Sequence, residues 1–484
     1  MAVPILGSVL VGLMSRFGSR AIGGHGIPEA MEKIILEESR IPPAMTFLKP
    51  LSAAISIGTG GPFGAEGPII ATGGAFGSLT GQWMHISSGE RKIVLAAGAC
   101  AGMAAIFGSP LASVLLAIEL LLFEFSPRSI IPVAIGCITG AGMHILLFGS
   151  TPVFAMPDIP TPSDIALVAY VGLGLIVGVV AALVSRSIYA IEDLFEKLPI
   201  HWMWWPAIGA VAIGVVGYFA PHTMGVGYDN IQYLLTGSWS MRILFSLCVL
   251  KYISWAISLG SGTSGGTLAP LFTMGGGLGA LLGMAANHFF PKLGIDPATA
   301  ALAGMAAMFA GASRAVLTSV VFALETTGQP HGLLPVLGAS VAAYFLSFFL
   351  MRGSIMTEKI ERRGVRAPDA YEPDVLQGGK VKRVMTPVVP STAAKLPYVY
   401  LTDDIGLAAE MMGQYNTDTL LVRDSEDSAK NIGIVTSAAI LAYYSQQKQK
   451  EDIYHSPGRT RRMMVTGRRL FLEPLTAFRL KDRE

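Results

Sequence analysis

Long apolar segments without a charged residue dominate the first 350 positions. Five of them are each long enough to cross a bilayer, which requires about 20 apolar residues in a helix. They comprise residues 129–157, 165–185, 199–228, 252–291 and 326–351. This pattern predicts an all-α polytopic membrane protein.

The segment 252–291 is too long for one helix and contains breaks. Gly260, Gly262, Gly265 and Gly266 interrupt it, and Pro270 follows. We therefore expect two helices with irregular backbone between them. Such backbone must face protein or a watery cavity, because lipid offers it no hydrogen-bond partners.

The chain contains an internal repeat at an offset of 202 residues. The glycine-, proline- and leucine-containing segment 58–79 recurs at 260–281, and 101–105 recurs at 303–307. After four inserted residues, 111–119 matches 317–325. Two repeats with interrupted segments at corresponding positions are typical of transporters with a site near the bilayer midplane.

The interrupted segments place glycine-rich turns directly before helical runs, at 64–68 and 265–270. The first N–H groups of a helix lack internal partners and carry partial positive charge, so converging helix starts favour an anion. Alternatively, the glycines only allow close helix packing.

Glu66 lies within the first of these turns, in an apolar stretch with no cation nearby in sequence. A carboxylate inside a membrane segment is costly and points to a function. At a helix start it could occupy the position of an anion and act as a gate. The alternative is an acid that only complements the helix dipole.

Three motifs in this order resemble the signature motifs of the ClC chloride channel and transporter family. They are Gly24-His25-Gly26-Ile27-Pro28, Gly64-Ala65-Glu66-Gly67-Pro68 and Gly266-Thr267-Leu268-Ala269-Pro270. The resemblance covers about residues 1–365 and implies a homodimer with one anion pathway per subunit and two inverted halves. It also implies that Glu66 is the external gate. The N–H groups of Thr267 and Leu268 would bind the central anion, and those around Ala65, Glu66 and Gly67 the outer one.

The sequence departs from the family pattern at the central site. His25 stands in place of a serine, Leu268 in place of a phenylalanine, and Met356 in place of the pore tyrosine. Both usual hydroxyl donors are therefore absent, which leaves the selectivity among small anions open. His25 could donate an imidazole N–H, attract anions as an imidazolium, or point away.

Leu120 stands where the exchangers of this family have an inner proton-relay glutamate. An aliphatic side chain cannot accept a proton, so we expect an uncoupled anion channel gated by Glu66. The alternatives are an anion/proton antiporter and, more remotely, a non-conducting membrane sensor. Glu119 and its repeat partner Glu325 are interpreted as structural. The family has one or two further helices at its start, so the chain is expected to be truncated there.

The composition is that of a membrane protein, and we do not expect an enzyme. The 484 residues are 52% hydrophobic and only 14% charged, with a net charge of +2. These values argue against a soluble enzyme and against nucleic-acid binding. Cys100, Cys137 and Cys248 lie in apolar runs without metal-ligand or disulfide spacing, so neither a metal nor a cofactor is expected in the membrane part.

The composition becomes soluble after residue 365. We predict a linker at 366–379, a small α/β domain at 380–449 and a charged tail at 450–484. The domain resembles a single CBS domain, with a strand at 381–387, an amphipathic helix, a hairpin and a closing helix. Such domains pair to bind adenosine nucleotides, although this one could serve only dimerisation or stability. We expect a multi-pass protein of the plasma (inner) membrane with this domain in the cytoplasm.

Overall fold

The computed structural model describes residues 1–237, 239–362, 376, 379–387, 396–424 and 431–454. The chain divides into two units, Met1–Asp369 and Ala370–Glu484. The predicted linker 366–379 and tail 450–484 lie almost wholly outside the described residues. Their structure therefore stays a prediction.

The first unit is built of helices joined by short loops. The helices are Ala2–Phe17 (α1), Ile27–Leu36 (α2), Met45–Gly58 (α3), Glu66–Trp83 (α4), Ser88–Phe107 (α5), Pro110–Leu116 (α6), Pro127–Phe148 (α7), Asp164–Glu196 (α8), Trp205–Phe219 (α9), Tyr228–Leu235 (α10), Met241–Phe245 (α11), Lys251–Gly260 (α12), Leu268–Phe289 (α13), Pro297–Ser313 (α14), Val316–Thr327 (α15), Leu333–Leu350 (α16) and Glu358–Glu361 (α17). Wider π-helical turns at Ala117–Leu122 and Ser246–Leu250 continue α6 and α11.

Six helical stretches of the described residues are long and apolar enough to cross a membrane. They are Pro127–Phe148, Asp164–Glu196, Trp202–Phe219, Met241–Gly260, Leu268–Phe289 and Pro330–Leu350. Most of the charge-free segments identified in the sequence fall on these helices.

The predicted interruption of segment 252–291 is confirmed. Helix α12 ends at Gly260 and α13 begins at Leu268. Gly262 has φ of +81°, a left-handed conformation that glycine adopts without strain. Pro270 lies in the first turn of α13, where a missing N–H costs no helical hydrogen bond. The matching turn at Gly64 leads into α4 in the same way.

The two repeats fold into equivalent sets of helices. Helix α3 corresponds to α12, α4 to α13, α5 to α14, α6 to α15, and α7 to α16. Gly64 and Gly266, which are equivalent in the repeat, pair in antiparallel fashion: the Gly64 N–H donates to the Gly266 carbonyl at 3.1 Å, and the Gly266 N–H to the Gly64 carbonyl at 2.8 Å. This reciprocal pairing is what two inverted halves produce at their junction.

The second unit contains a three-stranded sheet with two helices. Its elements are Tyr398–Tyr400 (β1), Ile405–Tyr415 (α18), Thr419–Arg423 (β2), Asn431–Thr436 (β3) and Ser437–Tyr454 (α19). Strand β2 pairs in parallel with β1 and in antiparallel with β3. The order of strand, helix, hairpin and helix agrees with the predicted small α/β domain.

One detail of that prediction was wrong. The predicted strand at 381–387 begins instead with a short 3₁₀ helix, Val381–Arg383. Only Thr386 in this segment reaches the sheet, as an isolated bridge to Ile434. The apolar side chain of Val381 is buried without strand pairing, which alternation alone could not reveal.

Candidate functional site

The three sequence motifs meet at the junction of the two halves. The Gly24 N–H donates to the Thr263 carbonyl at 3.1 Å, and the Gly265 N–H donates to the Gly24 carbonyl at 3.3 Å. Together with the pairing of Gly64 and Gly266, these bonds join the loops that precede α2, α4 and α13. The motifs are therefore parts of one site.

Glycine is required where these backbones touch. A Cβ atom at Gly26 would lie 2.1 Å from the Gly67 carbonyl oxygen, and one at Gly67 would lie 1.9 Å from that of His25. A Cβ at Gly266 would lie 2.5 Å from the Gly64 oxygen. Close packing thus accounts for these glycines by itself, so an anion role must rest on other residues.

Glu66 is the residue that packing does not explain. It is the first residue of α4 and is 0% exposed. Its Oε1 atom accepts a hydrogen bond from the Tyr228 hydroxyl at 2.9 Å. Its Oε2 atom has no hydrogen-bond partner among the described residues, although the N–H groups of Glu66 and Ala269 lie close to the carboxylate.

The Glu66 carboxylate lies in a place that would also suit a bound anion. It lies at the starts of α4 and α13, and a Cβ at Gly64 would lie only 1.7 Å from Oε2. Helix starts stabilise a carboxylate and a halide for the same reason, because both are negative. The two would therefore compete for one place.

Thr267 and Leu268 are buried at the start of α13, and Ala65 directly precedes α4. These are the positions for which the family resemblance implied backbone anion contacts. That role stays a prediction.

The start of α2 differs from the other two helix starts. The Gly26 N–H donates to Glu29 Oε2 at 2.6 Å, within the same helix, and Glu29 also forms an ion pair with Lys359 at 3.1 Å. Sequence analysis did not identify Glu29. Its spacing of three residues from the N-cap is that of a capping box, but with glycine as the cap.

His25 lies in the loop before α2 and is 7% exposed. Its Nδ1 atom is buried and has no hydrogen-bond partner within the described part of the chain. Burial lowers the pKa of the imidazole; the charge of Glu29 opposes this effect, and those of Lys359 and Lys49 add to it. A buried imidazole nitrogen without a partner fits a group that binds a ligand.

We expect His25 to make chloride affinity depend on pH. In a Glu66→Gln background, affinity should rise as pH falls towards about 4, the value to which burial lowers the pKa of the His25 imidazole. Substitution His25→Ala should remove that rise, whereas substitution of the exposed His85 should leave it. Calorimetric titration with chloride measures both. A pH-independent affinity in the parent would exclude an imidazolium at the anion, and an unchanged affinity in His25→Ala would contradict any coordinating role for His25.

Met356 is fully buried in the turn before α17, where its N–H donates to Ser354 Oγ at 3.2 Å. Its thioether has no proton to donate to an anion. Lys359, in α17, forms an ion pair with Glu29, which directly follows the first motif. The segment that contains Met356 therefore lies next to that motif.

Leu120 is 3% exposed and lies in the π-helical turn that follows α6. The carboxylate of its neighbour Glu119 accepts hydrogen bonds from the N–H groups of Leu317 at 3.0 Å and Thr318 at 2.9 Å, at the start of α15. Glu325 in turn accepts from the N–H groups of Leu111 and Ala112, at the start of α6. Each acid thus caps a helix of the other half.

Comparison with known proteins identifies the family. Residues 6–347 match the family model described as voltage gated chloride channel. The H(+)/Cl(-) exchange transporter ClcA of Yersinia pestis bv. Antiqua (strain Angola) is 32% identical over 72% of this chain and 76% of its own length. The protein of that name from Citrobacter koseri (strain ATCC BAA-895 / CDC 4225-83 / SGSC4696) is 31% identical over 74% and 77%.

Solved structures support the same fold. A slow cyanobacterial Cl-/H+ antiporter superposes with a TM-score of 0.69 and 24% identity, over 75% of this chain and 86% of that one. The family model covers well over half of the chain, and among the described residues six helical stretches are long and apolar enough to span a bilayer. The chain is therefore an integral, multi-pass membrane protein that belongs to the voltage gated chloride channel family.

Proposed function

We propose that this protein carries chloride or a similar small anion across the membrane, with the Glu66 carboxylate as its gate. The observation that supports this most directly is the fully buried carboxylate at the starts of α4 and α13. No lysine or arginine side chain forms an ion pair with it within the described residues. Glu119 and Glu325 each use both carboxylate oxygens to cap a helix start, whereas Glu66 leaves Oε2 without a hydrogen-bond partner in the described part of the chain.

Gating follows from competition. With the carboxylate in place, an anion cannot occupy the same N–H groups, and the pathway is closed there. When the carboxylate is protonated it loses its attraction to the helix starts, and the neutral side chain can yield to an anion. Transport should therefore depend on protons at Glu66.

The names of the two relatives favour coupled exchange of chloride for protons as the mode of transport. We adopt this mode as the main proposal. The uncoupled channel expected from the sequence remains a second candidate, favoured by one observation: Leu120 is buried and aliphatic, and the neighbouring Glu119 is bound to the start of α15. A proton route to Glu66 would then have to avoid both.

The test is proton movement in proteoliposomes driven by a chloride gradient. We expect protons to move against their own gradient, and a protonophore to abolish the accumulation, because exchange couples the two fluxes. Chloride flux without proton movement would establish the uncoupled channel instead. A folded protein with no chloride flux at all would contradict anion transport and favour the sensor.

The assembly proposed from the family resemblance is a homodimer in the plasma (inner) membrane, with one anion pathway per subunit and the second unit in the cytoplasm. The strand, helix, hairpin and helix of that unit support its assignment as a CBS-like domain. An adenosine nucleotide between paired copies would be its ligand. Without one, the unit would serve dimerisation or stability.

A further inference from the structure

Tyr228 contacts the gate directly, although no sequence motif pointed to it. It is the first residue of α10, in the second half of the chain, and its hydroxyl donates to Glu66 Oε1 at 2.9 Å. Within the described residues, Glu66 is the only hydrogen-bond partner of this hydroxyl. When the carboxylate leaves, the donor is left without an acceptor.

The loop that carries Tyr228 is the repeat counterpart of the first motif, at an offset of 201 residues. Gly24 and Gly26 have φ of +92° and +94°, and the equivalent Gly225 and Gly227 have φ of +68° and +80°. All four lie in the left-handed region that favours glycine. Tyr228 thus occupies in the second half the position that Ile27 has in the first.

A buried lysine holds each of these loops. Lys49 Nζ donates to the carbonyls of Ile22 at 2.7 Å and Gly24 at 3.0 Å. Lys251, its repeat mate, donates to Thr223 at 3.2 Å and Gly225 at 3.3 Å. The lysines are 1% and 0% exposed. A buried lysine in a membrane protein is costly, so a pair at equivalent positions indicates that both loops must be held in place.

The ring of Tyr228 is also fixed. It packs edge-on against Phe107, with centroids 5.7 Å apart, and against Phe154 at 5.8 Å. Because aromatic neighbours hold the ring and Lys251 holds the backbone, we expect the hydroxyl to keep its place when the Glu66 side chain leaves. A buried hydroxyl without an acceptor is unfavourable, so an incoming anion gains a donor that is already oriented.

We propose that the Tyr228 hydroxyl is a direct ligand of the transported anion at the place that the Glu66 carboxylate occupies in this structure. This rests on the proposed function, since it assigns a donor within the same pathway. It gives the chain a hydroxyl at the outer end of the pathway, whereas His25 and Met356 provide none at the central positions.

The test compares chloride binding with and without this hydroxyl in a Glu66→Ala background, where the outer place is vacant. Substitution Tyr228→Phe keeps the ring and its packing and removes only the donor. Calorimetric titration with chloride should show about a tenfold loss of affinity, the low end for a hydrogen bond to a charged group. Equal elution of both variants on size-exclusion chromatography establishes that they fold alike.

Tyr252→Phe in the same background is the matched control, because the Tyr252 hydroxyl donates to Ser187 Oγ at 2.6 Å and not to Glu66. Its chloride affinity should equal that of the parent. Unchanged affinity in Tyr228→Phe would overturn the inference and leave Tyr228 as a latch for the closed gate. Loss of affinity in both variants would overturn it as well. Absence of chloride flux in the wild type would instead contradict the proposed function itself.

Discussion

Substitution Glu66→Gln is expected to raise chloride flux at neutral pH by about tenfold and to make it nearly independent of pH. Glutamine has almost the same shape but carries no charge, so the starts of α4 and α13 no longer hold the side chain in place of an anion. Proton movement should disappear in the same variant, because the group that takes up the proton is gone. Chloride efflux from proteoliposomes across a pH series measures the first effect, and a pH electrode the second.

The matched control is Glu124→Gln, since the Glu124 side chain is 40% exposed and, within the described residues, its ion pair is with Lys92, at 3.6 Å. It removes the same charge from the same unit but should change neither flux nor its pH dependence. A folded Glu66→Gln protein with the flux and pH response of the wild type would mean that Glu66 only complements the dipole of α4.

The interruptions and the repeat could be predicted from sequence because they depend on local chemistry. A run of glycines at 260–266 followed by Pro270 cannot continue a helix, and the same pattern at 58–68 shows that both halves break at the same point. The juxtaposition of the motifs followed from the family resemblance. The physical reason for it, the backbone pairing of Gly64 with Gly266, became visible only in the structure.

The contact between Tyr228 and Glu66 could not be predicted, because it joins residues 162 positions apart through the geometry of two loops. One signal was nevertheless present. The repeat offset maps Lys49 onto Lys251, and both are single lysines in apolar segments. Extending the repeat towards the N-terminus would have identified the loop at 225–228 as the partner of the first motif.

Glu119 and Glu325 illustrate how a structural role can be distinguished from a proton relay. Each caps the start of a helix in the opposite half, and the residues at the N-cap positions of these helices, Ser109 and Ala315, form no side-chain cap. The reciprocal arrangement predicts that both acids stabilise the fold, with Glu119 contributing somewhat more because it also accepts from the Thr318 hydroxyl at 2.7 Å. A relay would involve only Glu119, since only this acid adjoins Leu120, the relay position of the family.

Substitutions Glu119→Gln and Glu325→Gln should each lower the free energy of unfolding by about 2 kcal/mol. This is below the upper end of about 3 kcal/mol for a hydrogen bond to a charged group in soluble proteins, because hydrogen bonds inside membrane proteins contribute less. The amide keeps one acceptor but loses the charge that the helix start favours. Denaturant unfolding in detergent measures the loss. The half-buried Glu124, changed to Gln, serves as control and should change stability by less than about 1 kcal/mol.

The same two variants also test the relay. The ratio of chloride to proton movement should be unchanged in both, because neither acid is placed to carry a proton if each is bound to a helix start. Loss of proton movement in Glu119→Gln alone, with chloride flux retained, would show that Glu119 is the relay beside Leu120. Losses of stability with intact coupling would instead show that the proton reaches Glu66 by a path that uses neither Glu119 nor Leu120. Water would then be the remaining carrier through the apolar region around the π-helical turn.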